Sequence, residues 1–267
     1  MPIPRCLTIA GSDSGGGAGI QADLKTFHQF GVFGTSVIVA VTAQNTRGVR
    51  AIHAVPVEMV ERQLDALVED LPPEAVKTGM LATEDLVRAV ARGLGRYRLP
   101  NYVLDPVMVA TSGDRLLSPS AEAVVARELV PLATLVTPNL HEAAILTEDE
   151  VRTVDDMARA GRALVRMGAG AALVTGGHLA GDVVVDVLVT GDGTRRFTTG
   201  RIETTSTHGT GCTLSAGITA GLARGSDLQR AVADALDFVH RAIDSAPGLG
   251  KGHGPLNHSV PTPHPHA

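Results

Sequence analysis

Short apolar runs alternate along this chain with longer segments of helical periodicity. The runs are nearly continuous and rich in Val, Leu and Ile, and they cover 7–10, 36–42, 75–78, 102–105, 134–137 and 171–175. Strands buried on both faces of a parallel sheet have this pattern. The helical segments between them cover 17–30, 57–70, 84–95, 119–129, 140–147 and 154–167. This alternation predicts an α/β fold, with helices on both faces of a mostly parallel central sheet.

The pattern changes after residue 180. Segments 183–189 and 195–202 predict a β-hairpin around a turn at 190–194. Two helices are then expected, at 211–224 and 227–246, and the tail from about residue 248 is expected to be irregular. Because no linker interrupts the middle of the chain, we expect residues 1–267 to form a single domain.

Composition narrows the classes of function. The net charge is −5 and no basic stripe is present, which argues against a nucleic-acid partner. The only two cysteines, Cys6 and Cys212, lie in different motifs, so we expect a reducing compartment rather than a disulfide. Neither a signal peptide nor a membrane span is expected, and these features together predict a cytoplasmic protein without a membrane partner.

The strongest motif is THGTGCTLSAG, from Thr207 to Gly217, which opens a predicted helix. Gly209 and Gly211 allow close backbone approach, so the amides from Gly209 through Thr210 to Cys212 are expected to form an anion hole at the helix start. Fixed donors of this kind stabilise a phosphoryl group during transfer. At the same helix start the Cys212 thiol is expected to have a lowered pKa and to accept a proton from an attacking hydroxyl. A Cys taken alone is more often a small packing residue.

The second motif is a glycine-rich turn, AGSDSGGGAGIQAD, from Ala10 to Asp23. It does not satisfy the dinucleotide pattern GxGxxG, because Ile20 takes the place of the last glycine. No Lys-Ser or Lys-Thr pair follows to make a P-loop. The glycines alone therefore leave a purely structural turn open as an alternative.

Polar residues also follow other predicted strands. Gln44, in TAQNT, offers a hydrogen-bond donor beside an acceptor, which matches a ligand that presents an amine beside a ring nitrogen. A loop Gln facing water is the ordinary alternative. Asp105 follows one strand, and Asn139 and Glu142 follow the next, three residues apart on one helical turn. Mg²⁺ prefers one or two carboxylates together with substrate phosphates, although each acid taken alone is more often a helix cap or a solvated side chain.

Taken together, these motifs resemble those of the hydroxymethylpyrimidine and phosphomethylpyrimidine kinases of the ribokinase-like superfamily. The resemblance runs from about Leu7 to His258. It implies a three-layer ribokinase-like fold, ATP and Mg²⁺ as co-substrate and cofactor, and a homodimer, for which the hairpin is one exposed place of contact. Cys212 stands where many ribokinase-like enzymes have the catalytic Asp of a GTGD motif. The remaining implied contacts are pyrimidine contacts at Gly11, Asp23, Gln44, Met80 and Val107, nucleotide contacts at Asn139 and Thr175, and metal contacts at Asp105 and Glu142.

Two features depart from the resemblance or add nothing to it. Thr175 stands where many relatives have Lys, which leaves open how the nucleotide phosphates are neutralised. The histidines carry no assigned role: His178 is interpreted as structural, the role of His208 is open, and the tail histidines do not form a metal pattern (His253, His258, His264 and His266).

The resemblance implies ATP-dependent phosphorylation of 4-amino-5-hydroxymethyl-2-methylpyrimidine, and then of its monophosphate to the pyrophosphate, in thiamin biosynthesis. A pyridoxal kinase is the nearest alternative. A dinucleotide-dependent oxidoreductase is a second, against which the missing GxGxxG argues. A non-catalytic pyrimidine sensor that keeps the fold is the third.

Overall fold

The computed structural model describes residues 2–109 and 115–263; His264 and His266 lie outside these residues. The strands of this part are β1 (Arg5–Ser12), β2 (Phe33–Asn45), β3 (Gly48–Ala54), β4 (Ala75–Thr78), β5 (Tyr102–Leu104), β6 (Leu135–Val136), β7 (Ala171–Val174), β8 (Val183–Thr190) and β9 (Gly193–Gly200). They form one sheet in the order β3-β2-β1-β4-β5-β6-β7-β8-β9. The pairs from β2 through β7 are parallel, and β3, β8 and β9 pair antiparallel. The predicted α/β fold with a late hairpin is confirmed.

Helices connect most of the strands. They are α1 (Gly19–Gln29), α2 (Val57–Asp70), α3 (Glu84–Tyr97), α4 (Pro119–Val124), α5 (Leu140–Thr147), α6 (Val154–Arg166), α7 (Thr210–Ala223) and α8 (Leu228–Asp244). Capping side chains define several starts: the Thr83 hydroxyl accepts from the Leu86 amide, and Thr153 and Asp156 form a capping box. After α4 the chain continues as a π-helical turn (Val125–Leu129) and a 3₁₀ turn (Val130–Leu132).

Alternate residues of each central strand face opposite helical layers. In β1, Leu7 and Ile9 pack in a cluster with α2 and α3, whereas Cys6 packs in a second cluster with α1, α7 and α8. This period of two follows from the pleat of the strand. Both faces of the sheet are therefore covered, which confirms the predicted three layers. No helix among the described residues is long and apolar enough to cross a bilayer.

One strand is missing from the sequence prediction. This strand is β3, which pairs antiparallel with β2 at the edge of the sheet. Most of its side chains are exposed, so its sequence carries no continuous apolar run from which a strand could be predicted. Its partner β2 extends to Asn45, which places Gln44 within the end of the strand rather than in a loop after it. Backbone pairing, rather than side-chain burial, holds this pair together.

Candidate active site

The turn before α7 requires glycine at Gly209. Its φ is +85°, and a Cβ there would lie 1.9 Å from the Gly17 carbonyl oxygen. The Thr210 amide donates to the Thr207 carbonyl at 3.3 Å. The amides of Gly211 and Cys212 have no acceptor among the described residues, as expected for the first turn of a helix. The unpaired donors at the helix start are therefore the amides of Gly211 and Cys212, whereas the Thr210 amide already has an acceptor, which corrects the expectation that it is free as well.

The carboxylate of Asp13 organises the glycine-rich turn. Its oxygens accept from the amides of Gly15 at 2.7 Å, Gly17 at 3.0 Å and Ala18 at 2.9 Å, and from His208 Nε2 at 2.8 Å. Burial favours the protonated acid, but the hydrogen bonds from His208 and the amides outweigh it and hold the pKa of Asp13 below its ordinary value. Asp13 is therefore an ionised anchor that joins the turn to the segment before α7.

A buried cation lies beneath the start of α7. Lys77 is fully enclosed, with its Nζ 2.5 Å from Asp23 Oδ1, 3.6 Å from Asp105 Oδ2 and 3.5 Å from the Cys212 carbonyl oxygen. Burial favours the neutral amine, but the surrounding negative charges, led by Asp23, raise the pKa of Lys77 above its ordinary value. Sequence reasoning missed Lys77, although a lysine inside a fully buried strand is a signal that could have found it.

Asp23 does not lie where the resemblance implies. Its side chain is fully buried, and its partners are Lys77 and the Thr8 hydroxyl, which donates at 2.6 Å. It does not line the cavity described below. The expected contact with the substrate is therefore corrected: Asp23 neutralises the buried lysine from the protein side.

The Cys212 thiol is not activated as the helix start alone suggests. Burial raises its pKa to about 12, and the charges of Asp105 and Asp23 act in the same direction. The Lys77 ammonium and the Gly19 amide lower it, but by less. The prediction of a lowered pKa is therefore wrong, because burial of the thiol, assisted by the two nearby carboxylates, outweighs the helix start and the Lys77 ammonium.

Two further carboxylates face the cavity. Asp105 accepts from the Ser215 hydroxyl at 2.9 Å, and Glu142 accepts from the Asn139 amide at 2.9 Å in a capping box. Burial and the charge of Asp105 raise the pKa of Glu142 to about 8, and burial also raises that of Asp105. Two adjacent acids, each nearly enclosed, fit a divalent cation whose charge would offset their repulsion. No group of three or more His, Cys, Asp or Glu side chains that could hold a metal ion occurs among the described residues.

The predicted nucleotide residues lie side by side. Asn139 and Thr175 form a bridge, and the Thr175 amide donates to the Pro138 carbonyl at 2.9 Å. The Asn139 side-chain oxygen caps α5, which leaves its amide nitrogen for a ligand. Sequence reasoning missed Arg201, a cation on the cavity wall whose guanidinium donates to carbonyls of the loop after β7, including Gly177 at 3.0 Å.

Most of the residues described above, though not Asp23 or Lys77, line one cavity of about 810 Å³ at the carboxyl ends of the parallel strands. The predicted residues on its wall are Gly11, Gln44, Met80, Asp105, Val107, Asn139, Glu142, Thr175, Gly209, Thr210, Gly211 and Cys212. Gly11 has no Cβ, which leaves room for the Met80 side chain, because a Cβ there would lie 2.5 Å from Met80 Cε. Met80 and Val107 thus supply apolar surface to the cavity wall, and their contact with a pyrimidine stays a prediction.

The cavity extends along the sheet from β2 to β9. Its far wall is apolar and belongs to Ile202 and to the α8 residues Leu236, Val239 and Ile243, a surface that sequence reasoning assigned no role. The start of α7 lies between the two ends, since Gly209 contacts the turn after β1 and Gly211 faces Asp105 after β5. A helix start with free amides, two buried acids and room on either side define a small-molecule phosphotransferase of the α/β class.

Comparison with known proteins agrees with this class. The phosphomethylpyrimidine kinase family model matches residues 13–257. Over 255 residues the chain is 54% identical to the hydroxymethylpyrimidine/phosphomethylpyrimidine kinase of Rhizobium meliloti strain 1021, covering 94% of this chain and 96% of that protein. The Escherichia coli K12 kinase of the same name is 49% identical, covering 95% and 97%. The ADP complex of Bacillus subtilis pyridoxal kinase superposes with a TM-score of 0.90 at 38% identity, covering 97% and 98%. The chain belongs to the phosphomethylpyrimidine kinase family.

Proposed function

We propose that this protein phosphorylates 4-amino-5-hydroxymethyl-2-methylpyrimidine and then its monophosphate, with ATP as donor, in thiamin biosynthesis. The observation that carries the proposal is the position of the unpaired Gly211 and Cys212 amides midway along the cavity, between a polar end at Gln44 and an apolar end at α8. Family membership and the names of the Rhizobium meliloti and Escherichia coli relatives support the same substrates.

The pyrimidine binds at the Gln44 end. The Gln44 amide pairs with the ring nitrogen and exocyclic amine, and Met80 and Val107 supply the apolar surface against the ring. Gly11 allows the ring to approach the backbone closely. The hydroxymethyl group then points toward the start of α7.

The nucleotide occupies the other end. The adenine ring contacts the apolar wall of α8, and the phosphates extend toward Asn139 and Thr175, with Arg201 as the nearby cation. Asp105 and Glu142 would hold Mg²⁺, which supplies charge neutralisation to the phosphates. ADP bound to the related Bacillus subtilis pyridoxal kinase supports a nucleotide in this fold.

Phosphoryl transfer takes place between the two ligands. The Gly211 and Cys212 amides stabilise the charge on the transferring group. Cys212 accepts the hydroxyl proton in the first step, and because its pKa is about 12, only the small thiolate fraction is active. The second step uses a phosphate oxygen as nucleophile, which needs less help from a base.

The test is an ADP-release assay with Mg-ATP on the pyrimidine, its monophosphate and pyridoxal. We expect turnover on both pyrimidines, and turnover on pyridoxal alone would refute the substrate assignment. Cys212→Ala should slow the first step more than the second, with Cys212→Asp as the matched variant that retains a base. Equal losses in both steps would exclude Cys212 as the base.

Pyridoxal phosphorylation is a second candidate activity. It is favoured by the close superposition on Bacillus subtilis pyridoxal kinase at 38% identity. A kcat/KM for pyridoxal at or above that for the pyrimidine would make it the main reaction.

We also propose a homodimer that acts in the cytoplasm. Strand β9 ends the sheet and presents mostly exposed side chains, which leaves an edge for a second copy of the chain. Both cysteines are unpaired, which is typical of a protein in a reducing compartment. Light scattering on the eluted protein should give twice the chain mass of 27.6 kDa, and a single-chain mass would refute the dimer. Recovery of the enzyme in a membrane or secreted fraction would refute the compartment.

A further inference from the structure

We propose that Asp186 determines nucleotide specificity: one oxygen of its carboxylate accepts a hydrogen bond from the nucleoside part of the phosphate donor, either from a ribose hydroxyl or from the amine of the base. The inference rests on the proposed function for the presence of a nucleotide in the cavity. It starts from a buried acid in the cavity wall that the reaction described above does not use.

Asp186 is buried without a cation beside it. The residue is 4% exposed, and its Oδ1 accepts from the Gly176 amide at 2.9 Å. That amide lowers the pKa of Asp186, no cation of the described residues does so, and burial raises the pKa to about 6. A desolvated carboxylate without a cation costs stability, and groups of this kind are concentrated at functional sites.

The side chain of Asp186 points toward the layer that contains α8. Along β8, Val187 and Val189 pack in a cluster with α5 and α6, whereas Leu188 packs in the cluster with α7 and α8. Asp186 lies two residues from Leu188 and directly opposite Phe197 of β9, which packs against the same cluster as Leu188. The carboxylate therefore faces the cavity from the sheet, on the side that the apolar α8 wall covers.

The loop after β7 fixes the orientation of this carboxylate. A Cβ at Gly176 would lie 2.0 Å from the Val185 carbonyl oxygen, so the loop lies directly on β8. The Arg201 guanidinium holds the same loop through carbonyls that include Gly177 at 3.0 Å. Because the Gly176 amide occupies Oδ1 and Oδ2 has no hydrogen-bond donor among the described residues, Oδ2 of Asp186 is left for a ligand.

The position of β8 in the sheet selects the ligand. Gln44 lies at the end of β2, Asp105 follows β5, and Asp186 belongs to β8, in the strand order β2-β1-β4-β5-β6-β7-β8. At roughly 4.8 Å per strand, β8 lies about 29 Å from β2 and about 14 Å from β5. A pyrimidine held at Gln44 cannot reach Asp186, whereas the nucleoside of a nucleotide whose phosphates lie near Asp105 can.

An ionised carboxylate oxygen distinguishes nucleosides by their hydrogen-bond donors, because it can only accept. The ribose hydroxyls and the 6-amino group of adenine can donate to it. A deoxyribose lacks one of the hydroxyls, and hypoxanthine presents a 6-oxo acceptor in place of the amine. A hydrogen bond to a charged group corresponds to roughly 10- to 150-fold in affinity.

The experiment measures kcat and KM for ATP, 2′-deoxy-ATP, 3′-deoxy-ATP and inosine triphosphate at saturating pyrimidine. The wild type should use at least one of the analogues with a kcat/KM lower than that for ATP by roughly 10- to 150-fold. Discrimination against a deoxy analogue identifies the hydroxyl as the donor, and discrimination against inosine triphosphate identifies the amine.

Asp186→Asn is the matched variant, because its side-chain oxygen still accepts from the Gly176 amide while its amide nitrogen replaces the unpaired oxygen. It should raise the KM for ATP by roughly tenfold or more, with kcat and the KM for the pyrimidine within about threefold of the wild-type values. It should also reduce the discrimination against the identified analogue to about threefold or less.

Two results would overturn the proposal. The first is a wild type that uses all three analogues as well as ATP, and this result needs no variant. The second is an unchanged KM for ATP in Asp186→Asn together with a raised one in Asp186→Leu, which also loses the bond to Gly176. Asp186 would then only hold the loop after β7.

Calorimetric binding of ADP without the pyrimidine separates this inference from the proposed reaction. A wild type that binds ADP roughly tenfold or more tightly than Asp186→Asn, yet phosphorylates neither pyrimidine, supports the contact and refutes the substrate assignment. Equal ADP affinities in the two proteins, or no ADP binding by the wild type, overturn the inference even where both pyrimidines are phosphorylated.

Discussion

Replacing Lys77 by methionine leaves the buried Asp23 carboxylate without its cation. The ammonium is fully enclosed, 2.5 Å from Asp23 and 3.6 Å from Asp105. Without it, the described partner of the Asp23 carboxylate is the Thr8 hydroxyl at 2.6 Å. Removing one member of a buried pair costs about 3–5 kcal/mol, because the remaining charge is desolvated and uncompensated. For a chain of 267 residues this loss corresponds to a fall in Tm of about 5–9 °C.

A second substitution separates the charge effect from lost packing. Asp23→Asn in the Lys77→Met background removes the uncompensated charge, so the double variant should be more stable than Lys77→Met alone by about 1–3 kcal/mol. Arg62→Met is the surface control, since its ion pair with Glu58 is 71% and 75% exposed, and it should change stability by less than about 0.5 kcal/mol.

The assay is urea unfolding followed by circular dichroism, repeated between pH 4 and pH 8. Burial already raises the pKa of Asp23 in the native protein, and loss of Lys77 raises it further. An acid whose pKa is higher in the folded than in the unfolded protein lowers stability once the pH exceeds its unfolded pKa of about 3.9. The loss of stability in Lys77→Met relative to the wild type should therefore grow as the pH rises. A deficit below about 1 kcal/mol at pH 7, or a double variant no more stable than the single one, would refute the reasoning.

Three further predictions concern the start of α7 and the tail. Gly209→Ala should prevent stable folding, because the added methyl would lie 1.9 Å from the Gly17 carbonyl oxygen. Gly211→Ala should fold normally and lose activity, because its Cβ would contact only Asp105, at 3.8 Å. Equal soluble yields and melting temperatures for the two variants would contradict this prediction. The first phosphorylation should show kcat/KM rising about tenfold per pH unit from pH 6 to 9, because the Cys212 pKa is about 12, and a level wild-type profile would exclude a thiolate base. Burial against Thr213 lowers the pKa of His258 to about 4. Between about pH 6.5 and pH 4 the unfolded chain binds a proton at this residue and the folded protein does not, so stability should fall as the pH drops through this range. His258→Gln should remove about 3 kcal/mol of this acid sensitivity, and an unchanged pH dependence of Tm would refute the assignment.

Local patterns in the sequence were enough to predict most of the sheet and helices. Runs such as 75–78 and 171–174 are buried on both faces, and the nearly continuous apolar residues of each run were enough to predict this burial. The glycines of the GTGC motif likewise predict a close backbone approach, because no other residue tolerates the φ of Gly209 at a contact of this kind. Strand β3 was missed because an exposed edge strand depends on backbone pairing with β2 and carries no apolar run.

The electrostatics of the site were decided only by the tertiary structure. Burial, together with the charges of Asp105 and Asp23, raises the pKa of Cys212, whereas its helix start predicts a lowered pKa. Lys77 acts in the opposite direction, and all three charged residues come from distant parts of the chain. The α8 wall of the cavity and the contact of His208 with Gln44 also join distant segments. The apolar periodicity of a segment indicates which of its own residues are buried. A pKa or a cavity wall depends instead on which distant segments come into contact, and only the tertiary packing determines those contacts.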